Sequence, residues 1–262
     1  MNKPNVTKSL AGTGAGVSAC VSKPKIILNV LIACEESQAE CKAFRELGHN
    51  AYSCDIQPCR KGANPGWHIQ ADVTPLLGGQ RYFVTQSGMK CTVSKWDLII
   101  AHPPCTYLCK VGSMHLYKNP DVHIKDNGRD LYINLDRYEK MLKAHEFFMK
   151  CLRAEARYVA VENPIPMRLA HLPKPTCYAC PSWFGVKYTK KTLYWLRNLP
   201  PILAEYIYNN PKCYVTCSRG KYRSRTFTQM AMSIAKQWSE YIINDMTKEK
   251  TDYEHQNIHG FS

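Results

Sequence analysis

The chain has 262 residues, long enough for one large domain or a domain with a small appendage, and its 45% hydrophobic content suits a proper core. No apolar run approaches the length of about eighteen residues that a membrane helix needs, and the stretch from Ile26 to Cys34 is broken by Asn29 and stopped by Glu35-Glu36, which excludes a membrane span. Thirty-five Lys plus Arg against twenty-one Asp plus Glu leave a net charge of +14, which attracts polyanions and points to nucleic acid without choosing between DNA and RNA.

Residues 1–24 are small and polar, lack the apolar stretch of a secretory signal, and read as a flexible tail. With thirteen cysteines and no export signal, the expected compartment is a reducing cytoplasm with free thiols, most of them small core side chains. Residues 25–172 alternate apolar runs with helical patterns, the layout of a catalytic core built on a mostly parallel sheet covered by helices. Strands are expected at Ile26 to Ala33, Ala51 to Cys54, His68 to Val73, Asp97 to Ala101 and Tyr158 to Val161, with a helix from Ser37 to Leu47 stopped by Gly48. Arg81 to Thr85 and Lys90 to Ser94 flank a turn-like centre and predict a hairpin. Tyr138, Met141, Leu142, His145, Phe148, Met149 and Leu152 recur at helical spacing, with His145 read as a packed or partly exposed residue rather than a ligand. Residues 173–224 are set apart as a small basic and aromatic lobe. A helix over 225–246 returns to the core with Ala231, Ile234, Ala235, Trp238 and Ile242 on one face, and polar residues 247–262 read as a second flexible tail.

Two of the apolar runs deliver polar side chains at their carboxyl ends, where ligands gather in open parallel sheets. Trp96-Asp97-Leu98-Ile99-Ile100-Ala101 leads into His102-Pro103-Pro104-Cys105, where two prolines stiffen the backbone ahead of a thiol. A nucleophile that must meet a ring carbon within a narrow angle gains from that restraint. Tyr158-Val159-Ala160-Val161 leads into Glu162-Asn163-Pro164 and brings a carboxyl group to the same end of the sheet. A pyrimidine is a poor electrophile at carbon 6, and thiolate addition there becomes feasible when a carboxyl group protonates or hydrogen-bonds ring nitrogen 3.

These residues resemble the DNA cytosine-5 methyltransferases, in which Pro-Cys follows a buried strand and Glu-Asn supplies the acid; here they are Pro104-Cys105 and Glu162-Asn163. The chain is more similar still to the small methyltransferase-like proteins often encoded by bacteriophages, through Ala33-Cys34-Glu35-Glu36-Ser37-Gln38, through Thr106-Tyr107 after the cysteine, and through Pro164. The resemblance runs from residue 28 to residue 200, with a weaker echo from Arg223 to Trp238. It implies a Rossmann-like α/β S-adenosylmethionine-dependent methyltransferase fold with a reduced C-terminal recognition lobe, S-adenosylmethionine as cofactor, DNA as partner, and a bacterial or phage-infected cell. It further implies that Asp55 meets the donor's ribose hydroxyls, that Asp72, with Val73 beside it, meets the adenine amino group, and that Cys34 and Glu36 lie at the methionine end. Ile56 would pack on the adenine face, or else be a core residue. Methyltransferases of exocyclic amino groups carry an aromatic residue where Cys105 stands, so cysteine favours attack on carbon.

Three departures qualify the likeness. The glycines of the family's first motif are replaced by Cys34, Glu36 and Ser37. The late Gln-Arg-Arg type motif is reduced to Tyr188-Thr189-Lys190-Lys191-Thr192, where Lys190 is either a contact to a base carbonyl or phosphate or a solvated surface lysine. The stretch from there to Arg223 is too short for a large target recognition domain. Pro181 to Arg225 nevertheless holds nine Lys or Arg, one Glu and nine aromatics, which suits phosphate contacts and base stacking by Lys190, Lys191, Arg223 and Arg225, or a solvated basic face over an aromatic mini-core. Cys177, Cys180, Cys213 and Cys217 form two spaced pairs that suit either a structural zinc or plain packing. The same chemistry on a cytosine nucleotide or single strand, and a non-catalytic nucleic-acid-binding role, stay open at this point.

Overall fold

The computed structural model describes residues 26–214 and 226–259, so the expected tail over 1–24 lies outside the described residues. The chain opens with β1 (Asn29–Ala33), α1 (Ala39–Glu46), β2 (Asn50–Asp55), β3 (His68–Gln70) and the single-turn α2 (Thr74–Leu77). The hairpin β4 (Tyr82–Val84) and β5 (Lys90–Thr92) precedes β6 (Leu98–Ala101). A second hairpin, β7 (Val122–Asp126) and β8 (Arg129–Ile133), leads into α3 (Leu135–Leu152) and β9 (Tyr158–Pro164). There follow β10 (Cys177–Ala179), β11 (Tyr188–Thr189), β12 (Thr192–Arg197), β13 (Lys212–Cys213) and α4 (Thr228–His259).

The result is a mixed α/β structure on a seven-stranded sheet ordered β10-β12-β9-β6-β1-β2-β3. The five strands from β9 to β3 run parallel, β12 pairs antiparallel with β9, and β10 pairs antiparallel with β12. Alternation explains the layers. Leu31, Ala33, Ile99, Ala101, Val159 and Val161 face one core, with Leu76 and Leu77 of α2 and Met141, Phe148 and Cys151 of α3. Val30, Ile32, Leu98, Ile100, Tyr158 and Ala160 face the other, with Phe44 of α1 and Ala231, Ile234, Ala235, Trp238 and Ile242 of α4. Strands apolar on both faces require cover on both sides, which the helices provide. The strand order reverses between β1 and β6, and their carboxyl ends flank the crevice that such a reversal opens.

Four expectations are corrected. Residues 173–197 are not part of a separate lobe: β10 and β12 extend the main sheet, because the run Leu193 to Leu196 finds a full-length partner in β9. The helix α4 continues past residue 246 to His259, through residues whose polarity suggested a tail. Arg157 ties its extension down by bonding both Asp245 and Glu249, one helical turn apart, and polarity is what a solvent-facing helix end tolerates. Strand β3 stops at Gln70, since the Asp72 side chain accepts from Thr74 N at 2.9 Å and turns the chain ahead of α2. Leu142 is exposed rather than packed against the sheet. The hairpin β7–β8 is an addition, and it turns on Asn127 and Gly128, both at positive φ.

Candidate active site

Strands β6 and β9 leave the sheet at the same level, since Ala101 pairs with Val161. The next residues, His102 and Glu162, therefore face each other. The His102 backbone N–H donates to Ala33 O at 2.9 Å, which extends the pairing with β1 by one residue. Its ring bridges two carboxylates: Nε2 lies 2.9 Å from Glu40 Oε2 on α1, and Nδ1 lies 3.3 Å from Glu162 Oε2. Glu40 is 1% exposed, while His102 and Glu162 are each 15% exposed and edge a shallow cleft of only about 20 Å³, walled by Lys190, Thr192 and Phe227.

After Pro103 and the extended Pro104, Cys105 opens a short 3-10 turn to Tyr107, and its carbonyl accepts from Leu108 N at 3.0 Å and Cys109 N at 2.9 Å. The half-buried Cys105 thiol hydrogen-bonds that of Cys109 and lies within electrostatic reach of Glu162 and Lys190. The Cys105 hydrogen bond, together with backbone N–H groups of Gly112 and Val111, outweighs burial and brings Cys109 down to about 6. The bond to Cys109, burial and the Glu162 charge hold Cys105 well above the ordinary thiol range, against the pull of Lys190. Within the pair the hydrogen bond thus favours the negative charge on Cys109 over Cys105.

Burial alone would raise the Glu162 pKa, but the His102 hydrogen bond and the Lys190 and His102 charges bring it below the ordinary carboxyl value. Burial alone would lower that of His102, yet the Glu40 charge and hydrogen bonds to Glu162 and Glu40 carry it well above the usual imidazole value. Glu35 sits beneath them, accepting from Glu40 N at 2.8 Å and Cys41 N at 3.3 Å and so capping α1. Burial and the neighbouring Glu40 raise its carboxyl from 4.5 to about 7, partly offset by His102 and the two backbone donors. An acid whose pKa is higher in the folded state takes up a proton on folding, so its contribution to stability falls as pH rises from 4.5 through about 7. Glu35→Gln removes that dependence: urea midpoints should show the variant gaining on the wild type between about pH 5 and about pH 8, and a pH-independent difference would exclude the buried acid.

At the ends of β1 to β3, Cys34 lies within electrostatic reach of Asp55 and Asp72. Cys34 adopts φ 61, the left-handed region that favours glycine, so the backbone keeps the turn that a glycine would make. Asp55 Oδ1 accepts from Gln57 N at 2.8 Å, and Ile56 is 69% exposed, which settles that it is not a core residue. Asp72 is partly engaged just ahead of α2, where its Oδ1 accepts from both N and Oγ1 of Thr74. The Val73 side chain, expected at the donor, packs in the core beside α3, because α2 turns it inward. Glu36 forms an ion pair with Arg60 at 2.6 Å rather than standing free.

Asn163 does not join Glu162. Strand alternation sends it to the opposite face, where it is fully buried, donates to Pro164 O at 2.7 Å and leaves Oδ1 without a partner among the described residues. Lys190 sits beside Cys105 and Glu162, whereas Lys191 lies over the Tyr178 ring at 4.3 Å and is exposed. Cys177 packs against the α1–α4 core, Cys213 is exposed, and no three metal-binding side chains converge among the described residues. Cys217, Arg223 and Arg225 lie outside the described residues. The sequence reading missed Glu35, Glu40, His102 and Cys109. A glutamate on the apolar face of α1, beside Cys41, Ala43 and Phe44, was the available signal for Glu40.

No protein-family model and no curated protein matches the chain. Among solved structures, a prophage-encoded Escherichia coli protein provisionally named a DNA modification methyltransferase is similar at 14% identity with a TM-score of 0.33. The match spans 64% of this chain and 46% of that one, less than half the length of that protein.

Proposed function

We propose that the chain transfers a methyl group from S-adenosylmethionine to carbon 5 of cytosine in DNA, with Cys105 adding transiently to carbon 6. The reading is carried by one observation: strands β6 and β9 end level, with Glu162 and Lys190 lining one cleft there and Cys105, in the turn after β6, within electrostatic reach of both. The sheet order supports it, since a mostly parallel sheet whose strand order reverses between β1 and β6 agrees with the Rossmann-like fold that the resemblance implies.

In this reading Cys109 takes the Cys105 proton as the sulfur bonds to carbon 6, and Glu162 delivers a proton to ring nitrogen 3. Lys190 balances the charge that develops on the ring. Loss of the carbon 5 proton and elimination of the thiol then restore the enzyme. The donor's adenosine end fits the residues present: Asp55 and Asp72 each keep an oxygen for it, and Ile56 offers an exposed apolar face. The methionine end would rest on the backbone around the left-handed Cys34, with Glu36 held off by Arg60. Bound there, S-adenosylmethionine supplies an electrophilic methyl group.

The test is covalent capture. With S-adenosylmethionine and DNA containing 5-fluorocytosine, whose fluorine blocks the final elimination, the wild type should form a denaturant-resistant adduct at Cys105. No adduct together with no donor binding by calorimetry overturns the assignment. Cys109→Ala should keep the adduct but lose about thirtyfold or more in rate at pH 7, with the acid limb of the pH–rate profile moving from near 6 to about 8.5 or higher. An unmoved limb would show that Cys109 takes no proton.

A further inference from the structure

The Glu40–His102–Glu162 line lies behind the reacting atoms and is not needed to explain why Cys105 adds. Its geometry is one imidazole between two carboxylates, at 2.9 Å and 3.3 Å, beside the cleft. Its inner end is closed, because Glu40 is buried in α1 and its second oxygen, Oε1, has no hydrogen-bond partner among the described residues. Its outer end is Glu162, the carboxyl placed to meet the base. Stability alone is weak grounds for such an arrangement, since the desolvation of two carboxylates around one ring can exceed what their attraction returns.

We propose that Glu40 and His102 are positioning residues that supply the proton Glu162 gives to the base; this rests on the function proposed above. As the Cys105 sulfur bonds to carbon 6, an electron pair moves onto ring nitrogen 3, where an N–H bond forms with a proton that leaves His102 Nδ1 and passes through the Glu162 carboxyl group. Glu162 is a carboxylate before and after the transfer, and His102 is left as a neutral imidazole that still donates from Nε2 to Glu40. The Cys105 proton passes to the Cys109 thiolate, so the base adduct is neutral and total charge is unchanged. Elimination runs the transfers backward. Glu40 thus keeps His102 charged at rest and Glu162 supplied at a pH where an ordinary carboxyl group holds no proton.

Groups facing His102 from each packed element are Glu35 after β1, Glu40 on α1, Glu162 on β9, Lys190 before β12 and the buried Tyr194 on β12. Burial, overridden by the two flanking carboxylates, leaves the imidazole pKa well above its usual value. All but Glu40 are unchanged by the variants below, apart from the ring itself.

The experiment measures the rate of adduct formation on 5-fluorocytosine DNA with S-adenosylmethionine from about pH 5.5 to about pH 8.5. For His102→Asn, the rate relative to wild type should be about a hundredfold lower at pH 8.5 and should recover at least tenfold by pH 5.5, as Glu162 draws its proton from solvent. Glu40→Gln should move the alkaline limb to lower pH while leaving the plateau in place. A ratio that stays constant across this range, with wild type reactive, overturns the relay and spares the function; wild type forming no adduct overturns both. Nitrogen-15 NMR of the wild-type histidines provides a readout that needs no variant to fold: His102 should remain an imidazolium above pH 7, and a neutral ring at pH 7 overturns the relay.

Discussion

Cys105→Ser should abolish adduct formation and lower methyl transfer by about a thousandfold or more. Serine matches the thiol in size, and the half-buried side chain carries no core packing, so the fold and donor binding should be unchanged. What is lost is ionisation. The neighbouring Cys109 thiol is brought down to about 6 by its bond to Cys105 and so can take the Cys105 proton, whereas a serine hydroxyl beside Glu162 is a far weaker acid and holds its proton. Single-turnover transfer to a tritium-labelled substrate measures the loss. A variant retaining activity within tenfold of wild type would show that the sulfur does not bond to the base.

Trp238→Ala should destabilise the fold by about 3–5 kcal/mol. Trp238 is fully buried at the centre of the α4 contact with the sheet, its ring meets Tyr194 edge-on at 6.2 Å, and its Nε1 donates to Pro200 O at 3.2 Å. Removing it leaves a cavity beneath β12 and an unpartnered carbonyl. Urea unfolding should show a lower midpoint at unchanged slope, and Trp238→Phe, which refills most of the space, should recover more than half of the loss. A loss below 1 kcal/mol would mean that α4 does not hold the sheet as described.

The buried parallel strands were legible because continuous apolar runs such as Leu98-Ile99-Ile100-Ala101 have few alternatives, and helix α1 because Gly48 marks its end. The β4–β5 hairpin was legible from its turn, and Asn127-Gly128 carried an equally strong signal for β7–β8 that went unused. Strands β10 and β12 were hidden by basic and aromatic composition, since what defines β12 is its ladder with β9, a pairing that local pattern does not encode. Cys105, Glu162, Asp55 and Asp72 could be placed because each ends an apolar run. His102 and Glu40 could not: they meet only because β6 and β9 end level and α1 packs across them, and a histidine before two prolines resembles a loop residue. Asn163 was grouped with Glu162 by adjacency, and strand alternation parts the two.

The six-rung ladder from Thr192–Pro164 to Arg197–Val159 fastens the lysine-bearing side of the cleft to the carboxylate-bearing side. Walls joined that way shift as one slab, so the gap between Lys190 and Glu162 has little freedom to widen for an incoming ring. Under the proposed function, distortion then falls on the polynucleotide, and cytosines that unstack cheaply, in mismatches, frayed ends or single strands, should be modified ahead of those in intact duplex.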